Sequence, residues 1–389
     1  MTMKTRYLSL LAAALVIGQA AVAAELPQAT KDILRTLKLT EKSLDGLDAE
    51  LAVPASLIEA AKKEGRLKVR ANLSPANFKK LQAPFLERYP FIKDIQYTRG
   101  IGMNRAVNPL LAFKRGNYVT DVITSFTRVV DDYREAKALT DIADLPTWKN
   151  VPEDAKDKHG TWISTQNSHW CMAYNTKRVK KEELPKTWME LIENPRWHNG
   201  KIGMGNRPQL WLVTLWAHYG DKWGTEYIDK LFSIARPQLR KEAINGLMKL
   251  AVMGEYDIAL PAADYRVKIQ VEKGAPLGFH CPDVVPATDS QIGVFRGSPN
   301  SNAGRLFVNW MLSKEGQLAL TNADKSAPAH SGLQNDDFLS YPREVLGKTR
   351  ALRTVDVTNT IQPRMLKVWN KVWATTGGPS EKKAGPAKR

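Results

Sequence analysis

The chain has 389 residues, 43% hydrophobic and 25% charged, with 57 Lys and Arg against 40 Asp and Glu for a formal charge of +17. That length holds two globular domains of roughly 100–200 residues each, and the composition excludes wholesale disorder and collagen-like repeats. Two cysteines exclude a disulfide scaffold and a four-cysteine zinc site, and a mean hydropathy of −0.37 excludes a multispanning membrane protein.

Lys4 and Arg6 precede an apolar stretch from about Tyr7 to Ala20, and Ala21-Val22-Ala23-Ala24 offers the small residues a signal peptidase reads. A membrane anchor is the competing interpretation. The short apolar core, running into small residues instead of a basic stop, argues against it. Residues 1–24 are therefore predicted to be a signal peptide and the mature chain to be periplasmic. In that oxidising compartment Cys171 and Cys281 either form a disulfide, contributing roughly 4–5 kcal/mol by closing a long loop, or remain two buried thiols; the sequence leaves both open.

Residues 25–64 read as a helical extension without chemistry of its own. Leu34, Leu37, Leu44, Leu47 and Leu51 recur at near-helical intervals, Ser56-Leu57-Ile58-Glu59 has the form of a capping box, and Gly65 is a stop. From Leu67 the pattern alternates. Leu67–Ala71, Asp94–Tyr97 and Asp121–Thr124 are predicted strands, separated by helices over about 76–88 and 103–114. Such alternation predicts βαβ units in a mainly parallel sheet covered by helices, with ligands beyond the carboxyl ends of the strands. That rule points to Asn72 and Ser74, to the turn Gly100-Ile101-Gly102 with Asn104 and Arg105 opening a helix, and to Ser125 and Thr127.

The tryptophan-rich middle repeats the alternation. A strand at 200–204 enters the loop Gly205-Asn206-Arg207-Pro208, helices follow at about 209–219 and 242–253, and a strand runs over 256–260. A further strand at 290–295 precedes an amphipathic helix at 302–312, whose Leu306, Phe307, Trp310 and Met311 share one face. Residues 377–389 read as a disordered basic tail. The other basic residues are dispersed and show no nucleic-acid-binding module, so nucleic acid is not an expected partner. There is no HExxH, C-x-x-C, Gly-x-Ser-x-Gly or P-loop, so neither an enzyme nor a bound cofactor is expected.

Several segments, in order, resemble periplasmic solute-binding proteins of ABC importers, in the branch that includes ferric-iron-binding proteins. They are Glu64–Val69, Phe85–Ile92, Asp121–Ser125, Pro185-Lys186-Thr187-Trp188 with Gly200–Gly203, Gly254–Ala259, Ser298–Phe307 and Leu312–Gln317. The resemblance implies a type II-like α/β fold of two lobes, each a mixed, mainly parallel sheet flanked by helices, with the ligand cleft between them. It places lobe one at 65–125 plus 286–335 and lobe two at 126–285 plus 336–376. It further implies a monomer that captures a small solute and delivers it to an inner-membrane permease, without catalysis.

In the iron-binding members two adjacent tyrosines hold the metal, helped by a His and a Glu. Here those tyrosines fall on Asp264-Tyr265, the His position falls near Ser74-Pro75 and the Glu position on Asn104. The loop that holds a synergistic anion in those relatives carries Asn206 and Arg207, just before a predicted helix start that suits an acid group. The expected ligand is therefore a small anionic or zwitterionic organic solute, its acid neutralised by Arg207 with Arg105 or Arg266 and any amine paired with Asp264. A ferric-iron carrier using Tyr265 and Asp264 is the alternative, and a periplasmic hydrolase or sensor-coupled recognition protein is the reading from another class. Arg240 and Asn245 are weaker candidates. Trp162, Trp170 and Trp211 either wall the ligand or pack the core.

Overall fold

A computed structural model describes residues 25–379 apart from Met103, Asp336, Asp337, Leu339 and Ser340; the predicted signal peptide and residues 380–389 of the basic tail lie outside the described residues. Its strands are β1 (Arg66–Ala71), β2 (Asp94–Arg99), β3 (Val122–Thr124), β4 (Ile163–Asn175), β5 (Ile202–Gly205), β6 (Gln238–Arg240), β7 (Ile258–Ala263), β8 (Leu277–His280), β9 (Val285–Val294), β10 (Ala327–Pro328) and β11 (Arg350–Leu352). β1 buries Leu67, Val69 and Ala71 and turns Lys68 and Arg70 the other way, the period of two expected of a strand.

The sheet runs β2-β1-β3-β9-β4-β7-β5-β6. At one end β2, β1 and β3 are parallel, and β9 joins β3 antiparallel. At the other end β7, β5 and β6 are parallel. β4 joins the two ends: from Ile163 to His169 it pairs with β9, and from Trp170 onward with β7 and β8. Two lobes thus share long strands, as in type II periplasmic binding proteins. β4 and β8 carry no clear period in the sequence and were not expected from it; β9 begins five residues before the predicted 290.

The extension packs on the first lobe, Gln28–Leu37 against helices Pro75–Arg88 and Lys314–Asp324, and Ala55–Glu64 against Ser301–Leu312. Two carboxylates, Glu315 buried and Glu64 half-buried, fasten it. Glu315 accepts from Thr30 Oγ1 (2.5 Å), from Trp310 Nε1 (2.8 Å) and from both Nε and Nη2 of Arg88 (2.7 and 2.8 Å). Glu64 accepts from the N–H groups of Asn302 and Ala303 and so caps their helix. Ser56 does not cap: the helix starts at Ala55 behind Pro54, which places the serine inside its first turn. Helix Gln362–Thr375 packs on helices Leu212–Tyr219 and Asp221–Lys230, with Trp369 edge-on to Trp211 and Phe232.

Cys171 and Cys281 are joined in a disulfide, their Cα atoms 5.1 Å apart across 110 residues of sequence. Among the described residues no helix is long and apolar enough to cross a membrane.

Candidate functional site

A cavity of about 590 Å³ lies over the strands that join the lobes. Its floor is Gln166, Ser168 and Trp170 of β4 with Thr288, Asp289 and Ser290 of β9. The β4 residues are alternate positions and so share one face. The Trp170 indole is fixed by donating to Thr288 Oγ1 (2.9 Å).

The first-lobe wall stands at the carboxyl ends of β1 and β3, where the sequence placed it: Asn72, Gly102, Arg105, Ser125 and Thr127 line the cavity. Arg105 is held across the wall by donating from Nη2 to the Ser125 carbonyl (2.6 Å). Gly100 makes that position accessible, because a Cβ there would come within 2.5 Å of Arg105 Cγ. Burial, with Arg70 close by, holds the Arg105 guanidinium below its ordinary pKa. Its Nε is buried without a partner. Ser125 has φ +56°, a left-handed conformation that costs energy outside glycine and is met at functional sites. The Gln291 carbonyl holds its N–H (2.7 Å) and Ser290 its hydroxyl. Thr127 Oγ1 donates to Gln291 Oε1 (2.5 Å), and Gln291 Nε2 donates to Asp289 Oδ1 (2.7 Å), which ties the wall to the floor.

The opposite wall comes from Asn245 and from helix Asp264–Glu272 with Tyr265, Arg266 and Gln270. Arg266 donates from Nη1 to Asn245 Oδ1 (3.2 Å), lies 5.2 Å over the Tyr265 ring, and leaves its own Nε buried without a partner. Burial pushes the Tyr265 phenol up from its ordinary pKa. Asp324 and Arg353 complete the lining; Arg353 donates to the Gln209 carbonyl (2.9 Å). Burial raises the carboxyls of Asp289 and Asp324 to about 6 each.

Five expected residues lie elsewhere. Ser74 accepts from Asn77 N (3.1 Å) and caps helix Pro75–Arg88, and Asn104 opens its helix on the exposed side. Asn206 accepts from Trp369 Nε1 (2.7 Å) and so fastens the C-terminal helix. Arg207 precedes a short 3-10 turn forced by Pro208, not an α-helix N-terminus, and does not line the cavity. Asp264 turns away from the cleft: it accepts from His169 Nδ1 (2.7 Å) and from the N–H of Tyr265 (2.8 Å). Trp211 is fully buried core, Trp162 packs in a smaller apolar cluster, and Arg240 pairs with Glu242. Sequence reading named Trp170 of the floor, as either a wall of the ligand site or core, and missed Gln166, Ser168, Thr288, Asp289 and Ser290 together with Asp324 and Arg353; the polar run at 164–169 was the available signal. Among the described residues no group of three or more His, Cys, Asp or Glu is placed to hold a metal ion.

A cleft between two lobes sharing crossing strands, with polar groups converging from both, defines a solute-binding protein of the type II periplasmic class. A profile described as bacterial extracellular solute-binding protein matches residues 117–346, more than half of the chain, and the chain belongs to that family. It is 26% identical over 183 residues to the major ferric iron-binding protein of Neisseria meningitidis serogroup B, a match spanning 44% of this chain and 53%, about half, of that protein. Solved structures with a similar fold include iron-bound HitA from Pseudomonas aeruginosa (19% identity, TM-score 0.58, covering 79% of this chain and 99% of that one). An extracellular solute-binding protein from Bordetella parapertussis aligns at 17% identity and TM-score 0.67, covering 79% and 98%. AfuA from Actinobacillus pleuropneumoniae, with fructose-6-phosphate bound, aligns at 18% identity and TM-score 0.57, covering 80% and 98%. At these identities the structures speak to the fold alone.

Proposed function

We propose that this chain is the exported binding component of an ABC importer, without catalytic activity, which traps a small organic solute carrying an acid group and hands it to an inner-membrane permease. The observation that carries this reading is the placement of three guanidinium groups, Arg105, Arg266 and Arg353, around one cavity, with Arg105 and Arg266 on opposite walls. An acid lying between those walls would be neutralised from both sides, so its binding would favour the closed arrangement of the lobes. Asn72, Ser168, Thr127 and Gln270 offer neutral hydrogen bonds for the rest of the solute. The phosphorylated sugar in AfuA supports an acid-bearing organic cargo. Arg266→Ala, assayed by calorimetric titration with phosphorylated and carboxylated small molecules, is expected to lose at least about tenfold in affinity, since bonds to a charged group contribute roughly 1.5–3 kcal/mol. Wild-type protein that takes up none of them would overturn the reading.

Ferric iron is a second reading, favoured by the names of the relatives and by Tyr265 at the cleft. Against it, Asp264, the other residue at the paired-tyrosine position, is engaged with His169 away from the cavity. A visible phenolate-to-iron absorption band on adding ferric salt would support this reading, and a colourless titration in several anions would reject it.

A further inference from the structure

Behind the second-lobe wall lies a buried polar pair to which solute binding has so far given no task. His169 sits where β4 changes partners: it is the last β4 residue in register with β9, opposite Ala287, and the next residue, Trp170, stands opposite Ala263 of β7. Ser168 and Trp170 line the cavity, so His169 between them belongs to the other face of the strand. On that face it meets Asp264, the first residue of helix Asp264–Glu272. His169 Nδ1 lies 2.7 Å from Asp264 Oδ2, and the His169 N–H donates to Asp264 Oδ1 (3.3 Å). That same oxygen accepts from the N–H of Tyr265 (2.8 Å). His169 is 1% and Asp264 6% exposed, so water has little access to replace either partner. Tyr341 stands edge-on to the imidazole, with ring centres 5.9 Å apart. Tyr265 and Arg266 follow Asp264 in the first helical turn, and both line the cavity. Arg266 is itself held by one bond to Asn245 (3.2 Å) and by the Tyr265 ring, and its Nε is buried without a partner. Where its guanidinium lies therefore depends on where that first turn is fixed.

Resting on the reading of the cleft as an acid-solute site, we propose that His169 and Asp264 are positioning residues for Arg266. They pin the first turn of its helix to the crossing strand β4, directly behind the floor residues Ser168 and Trp170, and so set the guanidinium against the floor. The Asp264 carboxyl bonds the main chain and the imidazole of His169 and the main chain of the turn at once. The turn cannot slide or rotate against β4 without breaking a buried bond, and a polar group left unpaired there is costly. Packing alone does not call for such a pair, because apolar side chains of similar volume fill a buried site at least as favourably. The residue that the sequence offered as an amine partner or an iron ligand thus acts on the solute through its neighbour two positions on.

The test titrates the full chain by calorimetry with fructose 6-phosphate and with glutarate, a phosphorylated and a carboxylated probe. Asp264→Ala is expected to weaken whichever probe the wild-type protein binds by about tenfold or more. Asp264→Asn, whose amide can keep all three contacts with a neutral imidazole, is expected to stay within about threefold of wild type. In an Arg266→Ala background the Asp264→Ala step is expected to shrink below about threefold, because it acts through that arginine. Hydrogen exchange reads the anchor without ligand: the Tyr265 amide should lose protection in Asp264→Ala and keep it in Asp264→Asn. Should Asp264→Ala fail to fold, His169→Phe, which keeps a ring against Tyr341 and removes Nδ1, replaces it in the titrations. Wild-type affinity in the alanine variant overturns the positioning role and leaves the acid-solute reading in place. So does an asparagine variant as weak as the alanine one, or a loss of equal size with and without Arg266. A wild-type chain that binds neither probe at millimolar concentration overturns both.

Discussion

A single missing methyl group decides where Arg105 lies. With Gly100 bare, the arginine side chain can cross above it and reach the Ser125 carbonyl; an alanine would meet Arg105 at Cγ (2.5 Å), Cβ (2.6 Å) and Cα (2.9 Å). Because the contact includes backbone, the helix start itself has to move. Gly100→Ala is therefore expected to weaken solute binding about tenfold while costing roughly 1–3 kcal/mol of stability; a titration giving wild-type affinity would show that Arg105 is not positioned for the ligand. The two cleft aspartates make a separate prediction. Their folded pKa of about 6 lies above the ordinary aspartate value of 3.8, so the folded state binds protons more readily than the unfolded one. The penalty is fully present above about pH 6 and is relieved as pH falls from 6 towards 4. Melting temperature of the ligand-free chain, followed over that interval, should rise towards acid by an increment that Asp324→Asn reduces; an identical profile in the variant would contradict the assignment.

At the level of elements, the N-terminal extension is part of the first lobe's structure. Glu315, whose side chain is fully buried, binds the extension through Thr30, the helix Pro75–Arg88 through Arg88, and its own helix pair through Trp310. Glu315→Ala leaves Arg88 without its partner in a largely buried place, and breaking such a pair costs on the order of 3–5 kcal/mol. Urea unfolding is expected to show a loss of that size, and a loss below about 1 kcal/mol would mean that the carboxylate is not the fastening point. Sequence periodicity found this extension and the strands β1, β2, β3, β5 and β7, because each has either an apolar run or a regular apolar alternation next to a turn or helix boundary. It missed β4 for a reason that is also functional. β4 is buried along nearly its whole length, yet its first half is a polar run, Ser164 to His169, from which Gln166 and Ser168 reach the cleft, so no apolar period marks the strand there.

For the molecule as a whole, β4 and β9 run through both lobes, so the closure proposed above would bend these strands near the floor. The disulfide joins β4, in its second-lobe half, to the stretch just before β9. It thus fastens the end of β8 to β4 on the second-lobe side of the floor. Replacing Cys171 and Cys281 together by alanine is expected to lower stability by about 2–5 kcal/mol, read from denaturant midpoints with and without reductant. Wild-type protein with the same midpoint in both conditions would remove the bond from the account.

The sequence by itself determined the α/β alternation, the kinship with solute-binding proteins and the first-lobe wall of the cleft. Those features are local: a strand, its carboxyl end and the helix that follows are neighbours in the chain, so a short window contains the physics that places Asn72, Arg105 and Ser125. The floor, the opposite wall's partners and the fate of the expected arginine were decided only by tertiary structure. Arg207 and Arg353 are equally basic in sequence, but Pro208 sets the first in a tight turn away from the cavity, while the pairing of β11 with β9 carries the second to its edge. Asp264 and Asp289 likewise differ in what the fold sets beside them: His169 engages the first away from the cleft, and the second lines the cavity beside Gln291, where burial raises its carboxyl to about 6.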